Sequence, residues 1–70
     1  MSRQEMAEML YLGRYVEYAG FPYEVMGVHE LGGCMFLEIR DEPPSDHRDR
    51  VKLTSCNLIP YGEEPQKRTQ

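Results

Sequence analysis

Cys34-Met35-Phe36-Leu37-Glu38-Ile39-Arg40 is the most strand-like stretch of the chain. Met35, Leu37 and Ile39 recur at every second position, which in a pleated strand sends them to one face and Phe36 and Glu38 to the other. The first three are expected to point into a core. Upstream, Leu31-Gly32-Gly33 supplies a tight reversal, and Phe21-Pro22-Tyr23-Glu24-Val25-Met26-Gly27-Val28-His29-Glu30 reads as a longer strand running back alongside. Val25 and Val28 cannot share a face of that strand under strict period two. A bulge at Gly27 reconciles them and bends the strand.

The same rhythm extends outward over Leu12 to Tyr61. Gly13 ends an N-terminal segment. Arg14-Tyr15-Val16-Glu17-Tyr18 then forms a strand with Val16 and Tyr18 on one face and Tyr15 and Glu17 on the other, turning at Ala19-Gly20. Asp41 to Arg50 is polar, holds two adjacent prolines and is expected to be an exposed loop. Val51-Lys52-Leu53-Thr54 resumes alternation with Val51 and Leu53 inward. Ser55-Cys56-Asn57 suggests one helical turn, and Leu58-Ile59-Pro60-Tyr61 a short closing edge strand. At the N-terminus Ser2 and Glu5 match a capping box, so a helix is expected over Arg3 to Tyr11 with Met6, Met9 and Leu10 on one side. That apolar stripe is either the face docked on the end of the sheet or a surface for a partner. The organisation is a short helix over 1–11, a β domain over 12–61 and a polar, disordered tail over 62–70.

Seventy residues make one domain with a small core, because a chain this short buries only about 60% of its unfolded surface. Hydrophobic residues at 40% and charged residues at 29% fit a soluble globular protein. No apolar run approaches the roughly 18 residues needed to cross a bilayer, and the start carries no apolar signal block, so the expected location is cytoplasmic, away from membranes. Cys34 and Cys56 stand apart from any Cys-x-x-Cys pair and are expected to be reduced. The net charge of −4 works against a bulk nucleic-acid coat, which needs many phosphate-neutralising cations.

Taken together, the strand from Gly13 to Tyr18, the bent return strand from Tyr23 to Glu30, and Val51 to Leu58 as closing strand and helical turn resemble the SH3-like small barrels, including the Tudor-type and KOW-type domains. The resemblance implies a mainly β fold, a five-stranded SH3-like small barrel with a short N-terminal helix and a disordered C-terminal tail. It also implies a binding module for peptides, methylated side chains, RNA or larger assemblies. The chain departs from peptide-binding SH3 domains, since it has no tryptophan and lacks the paired aromatic cluster of a proline-ligand groove.

His29, His47, Cys34 and Cys56 have the atom types of a zinc site without its spacing. The acidic residues Asp41, Glu42, Asp46 and Asp49 lack the register and central glycine of a calcium loop. No nucleophile–base grouping stands out. No metal, no cofactor and no catalysis are therefore expected. The remaining lead is aromatic: Tyr15 and Phe36 oppose the assigned core, and Tyr23 and Tyr61 flank them. Grouped with Arg14, they form the expected partner-binding surface, for another protein or for self-association, against the plainer reading that these rings cover barrel edges. The alternative is nucleic-acid binding through Arg14, Arg40, Arg50 and Lys52 on one face with tyrosine rings stacking bases.

Overall fold

Leu37 and Val25 are almost fully sealed from water, and the hairpin that carries them organises everything else. The computed structural model describes residues 1–41 and 47–65. In chain order these form α1 (Arg3–Tyr11), β1 (Tyr15–Tyr18), β2 (Phe21–Leu31), β3 (Cys34–Arg40), β4 (Arg48–Lys52), a 3-10 turn (Leu53–Ser55), β5 (Asn57–Leu58) and a second 3-10 turn (Tyr61–Glu63). The strands make one antiparallel sheet in the order β4-β3-β2-β1-β5. The fold is mainly β, as expected. β4 and β5 stand at opposite ends of the order, and among the described residues no ladder joins them, so the sheet is not closed by hydrogen bonds.

Both hairpins turn through two residues of positive φ, the geometry whose twist matches that of the flanking strands. At the β2–β3 turn these are Gly32 and Gly33. At the β1–β2 turn they are Gly20 and Ala19, the latter at φ 54°. A Cβ in that region is strained, which makes Ala19 the one locally unfavourable residue of the turn.

The register of β2 on β3 passes from Val25 opposite Ile39 to Gly27 opposite Glu38, leaving Met26 as the extra residue. The bulge therefore sits one position before Gly27. Its effect is the expected one: Val25 and Val28 both face the core. Gly27 supplies space rather than an unusual backbone angle, because a Cβ there would lie 3.3 Å from His29 Nε2 and 3.5 Å from Glu38 Oε1.

Val16, Val25, Val28, Leu37 and Ile39 form the core with Ala7 and Cys56, and Tyr11, Tyr18, Tyr23, Met35, Val51 and Leu53 pack around it. Each fully buried aliphatic side chain contributes about 1.5–3 kcal/mol. Ser2 caps α1 as expected: its Oγ accepts from Glu5 N–H at 3.1 Å, and Glu5 Oε1 accepts from Ser2 N–H at 2.9 Å. These bonds hold the Glu5 carboxyl below its ordinary range. Both cysteines are free thiols, Cys34 exposed and Cys56 buried.

Four expectations are corrected. β4 begins at Arg48 and ends at Lys52, so Arg48, Asp49 and Arg50 belong to a strand rather than the loop. Leu53 and Thr54 lie in the 3-10 turn, which comes two residues early. Alternating charge in Arg48-Asp49-Arg50 hid an edge strand whose neighbours supply the hydrogen bonds that its composition does not advertise. Tyr61 lies in a 3-10 turn, not in the closing strand, which is confined to Asn57–Leu58. The helix docks through Ala7 and Tyr11, with Gln4 Nε2 donating to the Val28 carbonyl at 3.2 Å; Met6, Met9 and Leu10 are left on the far side. The middle of the expected loop (42–46) and the end of the expected tail (66–70) lie outside the described residues.

Leu37→Ala is expected to cost about 2–5 kcal/mol. Ala19→Asn is expected to add about 0.5–1 kcal/mol, by placing a residue that tolerates the left-handed region before Gly20. Urea unfolding followed by circular dichroism measures both, and an Ala19→Asn midpoint below the parent's would refute the strain assigned to that turn.

Candidate interaction surfaces

Direct cross-strand neighbours share a face, so the register places each predicted site residue. The row Tyr15, Glu24, Arg40, Arg48 lies on the face turned away from the core, as do Glu38 with Arg50 and His29 with Phe36 and Lys52. Tyr15 nevertheless is only 9% exposed and stands outside the core cluster. Ile59 N–H donates to the Tyr15 carbonyl at 3.0 Å, so the chain leaving β5 runs beside it. Alternation places Tyr15 on the outward face, and its low exposure is not visible in that pattern. Phe36 is half-buried on the outer face. Tyr23 packs on the core and meets Tyr18 edge to face, ring centroids 6.3 Å apart.

Arg14 is engaged with the C-terminal segment. Its Nη2 donates to the Ile59 carbonyl at 3.0 Å, its Nε to Glu64 Oε2 at 3.4 Å, and its guanidinium carbon lies 3.6 Å from the centre of the exposed Tyr61 ring. Arg14 and Tyr61 thus come together, as a strap that holds residues 59–64 against the sheet. Tyr15, Phe36 and Tyr23 do not join them in one exposed patch.

Of the four cations proposed for nucleic acid, Arg40, Arg50 and Lys52 share the outer face of β3 and β4, and Arg48 joins them. Arg14 stands apart, before β1. Arg40 Nη2 lies 2.7 Å from Glu24 Oε1, and Arg48 Nη1 lies 3.3 Å from Glu38 Oε2. Glu38 also meets His29 Nε2 at 3.0 Å. These hydrogen bonds, from His29 first and Arg48 second, hold the Glu38 carboxyl below its ordinary range. Among the described residues Arg50 and Lys52 are in no ion pair.

The apolar stripe of α1 is turned to water. Met6, Met9 and Leu10 are 52%, 73% and 58% exposed. At 100° per residue Gln4, Ala7 and Tyr11 cluster on the side that meets the sheet; Met9 lies nearly opposite them, Met6 beside it, and Leu10 at the edge about a quarter-turn from the docked side. The signal was present in the sequence as a stripe at helical spacing, with Ala7 the only small residue able to let the helix backbone approach the strands. Among the described residues no three histidine, cysteine or acidic side chains converge as metal ligands, and no helix is long and apolar enough to cross a membrane.

The lowered Glu38 carboxyl stabilises the fold above the ordinary carboxylate range, and this contribution is lost as pH falls through the lowered value. Glu38→Gln should therefore flatten part of the fall in urea midpoint between about pH 5 and about pH 3. Arg14→Ala should loosen the strap, seen as faster amide exchange at Ile59 and Glu63 with the exchange of β2 and β3 unchanged. Equal protection at Ile59 in both proteins would show that Arg14 does not hold it. The chain matches no protein-family model, no curated protein and no solved structure.

Proposed function

We propose that this chain is a non-catalytic protein-interaction module whose docking face is the outward side of α1. The observation that carries this reading is the exposure of Met6, Met9 and Leu10 on the side opposite the buried Ala7. Isolated apolar residues on a surface are ordinary, but three adjacent ones at helical spacing form a contiguous stripe. Methionine suits the role, being flexible and polarisable enough to fit a partner's side chains. The flanks choose the partner. Arg3 lies 3.9 Å from Glu30, leaving Glu5 as the charge that borders the stripe beside Met9. The complementary occupant is an amphipathic helix of another protein with lysine or arginine bordering its apolar face.

The proposal takes the sheet as a small SH3-like barrel, a reading supported by the strand order, the bulge in β2 and the 3-10 turn between β4 and β5. Two free thiols suit a reducing compartment, so the module is set in the cytoplasm. The test is a titration of methyl-labelled protein with an amphipathic Leu/Lys helical peptide. Saturable shifts of the Met6 and Met9 methyl signals are expected. They should vanish in Met9→Glu/Leu10→Glu, whose stability should stay within about 0.5 kcal/mol per substitution of the parent because both sites are exposed. Unmoved methionine methyls at saturating peptide would remove α1 as the docking face.

Nucleic-acid binding is the second reading, favoured by the row of Arg40, Arg48, Arg50 and Lys52 on one outer face. Two of these cations are already paired with glutamates. The remaining two limit the salt dependence of binding to a log–log slope of about −2. A gel-shift series from low to physiological salt measures it, and no shift of RNA or DNA at low salt would eliminate the reading.

A further inference from the structure

We propose that a groove between β1, β5 and the C-terminal segment is a seat for a lysine or arginine side chain of a partner polypeptide. Glu17 lies directly between Pro22 of β2 and Asn57 of β5 in the sheet register, and these residues line one side of the groove. Pro60, Glu63 and Pro65 line the other. The volume is about 370 Å³, at the lower end of the roughly 300–1,000 Å³ found for small-ligand sites. It is a different place from the α1 face, and the proposal does not depend on that face.

The lining selects the chemistry. Its prolines are rigid and carry no backbone N–H, so they offer an anion nothing to bind and offer an alkyl chain a fixed apolar surface. Glu17 and Glu63 supply two carboxylates, neither of which is in an ion pair among the described residues. Arg14, the cation that holds this segment, is committed to Glu64 and the Ile59 carbonyl. An occupant with an apolar stem and a cationic head satisfies both parts: the stem lies along the prolines, and the head donates charge-assisted hydrogen bonds to Glu17 and Glu63, with the Asn57 amide oxygen as a further acceptor. Among the described residues no aromatic ring lines the groove, so they supply no cage that favours methylated ammonium, and the unmodified side chain is the fit.

The test is a titration of the full-length 15N-labelled protein with N-acetyl-lysine amide and N-acetyl-arginine amide, with N-acetyl-norleucine amide as the neutral control. Saturable shifts at the amides of Asn57, Ile59 and Glu63 are expected with both cationic probes, and affinity about tenfold weaker with norleucine, the value of one charge-assisted hydrogen bond. Glu17→Gln/Glu63→Gln should lose the same about tenfold. Both side chains are exposed, so its remaining spectrum should overlay the parent's. Met9→Glu/Leu10→Glu should bind the probes normally, which separates this proposal from the α1 reading. Equal response to norleucine, or shifts spread over Glu5, Glu30 and the other exposed carboxylates, would overturn it. Concentration-dependent shifts at the groove without any probe would identify a second copy of this chain as the occupant and overturn the partner assignment.

Discussion

One extra residue in β2 decides how this chain hides its apolar side chains. With strict alternation Val28 would face outward while Val25 faced in. The unpaired Met26 resets the phase, so both valines meet Leu37 and Ile39. A domain of this size has too little interior to lose one such residue, since among the described residues Val16, Val25 and Leu37 are the only large side chains sealed almost completely from water. The bulge also brings Gly27 beneath the His29–Glu38 pair, where a larger residue would push the imidazole aside. Core packing and the polar pattern of the outer face therefore have a common origin.

From that constraint follows the division of labour on the surface. The helix covers the core with an alanine and a tyrosine, which lets its backbone sit close and turns its larger apolar residues to water. On the opposite edge the sheet ends in a two-residue strand, too short to stabilise the chain beyond it. Arg14 provides that hold through a carbonyl, a carboxylate and a ring. The same side chain that looked available in the sequence is thus a tether, and the groove exists because the tether fixes one of its walls.

Much of this was legible. The capping box, the helix bounds, the Gly32-Gly33 reversal, the strand Cys34–Arg40 and a bulge near Gly27 all follow from local rules, and each is local in the structure. What escaped is non-local. β4 is a strand because β3 lies beside it, although Arg48-Asp49-Arg50 has little strand character of its own. Tyr15 is buried on the outward side of its strand, where its carbonyl accepts from Ile59 N–H, a residue more than forty positions later. The candidate surface moved for the same reason: periodicity identifies which residues share a side, but only packing decides which side meets the protein. Met6, Met9 and Leu10 group together as their spacing implies, and of the two sides open to them packing selects the one in water.

The two cysteines differ in a way that gives the molecule a built-in chemical clock. Cys34 sits in water at the start of β3, whereas Cys56 is enclosed, its Sγ 3.6 Å from the Lys52 carbonyl, and burial pushes its thiol up from its ordinary value. Thiolate is the reacting form, so an alkylating reagent at neutral pH modifies the first site in the native protein and the second only when β5 and the turn before it open. The lag between one and two adducts in a mass spectrum then reads the opening rate of that end of the sheet, with no engineered label.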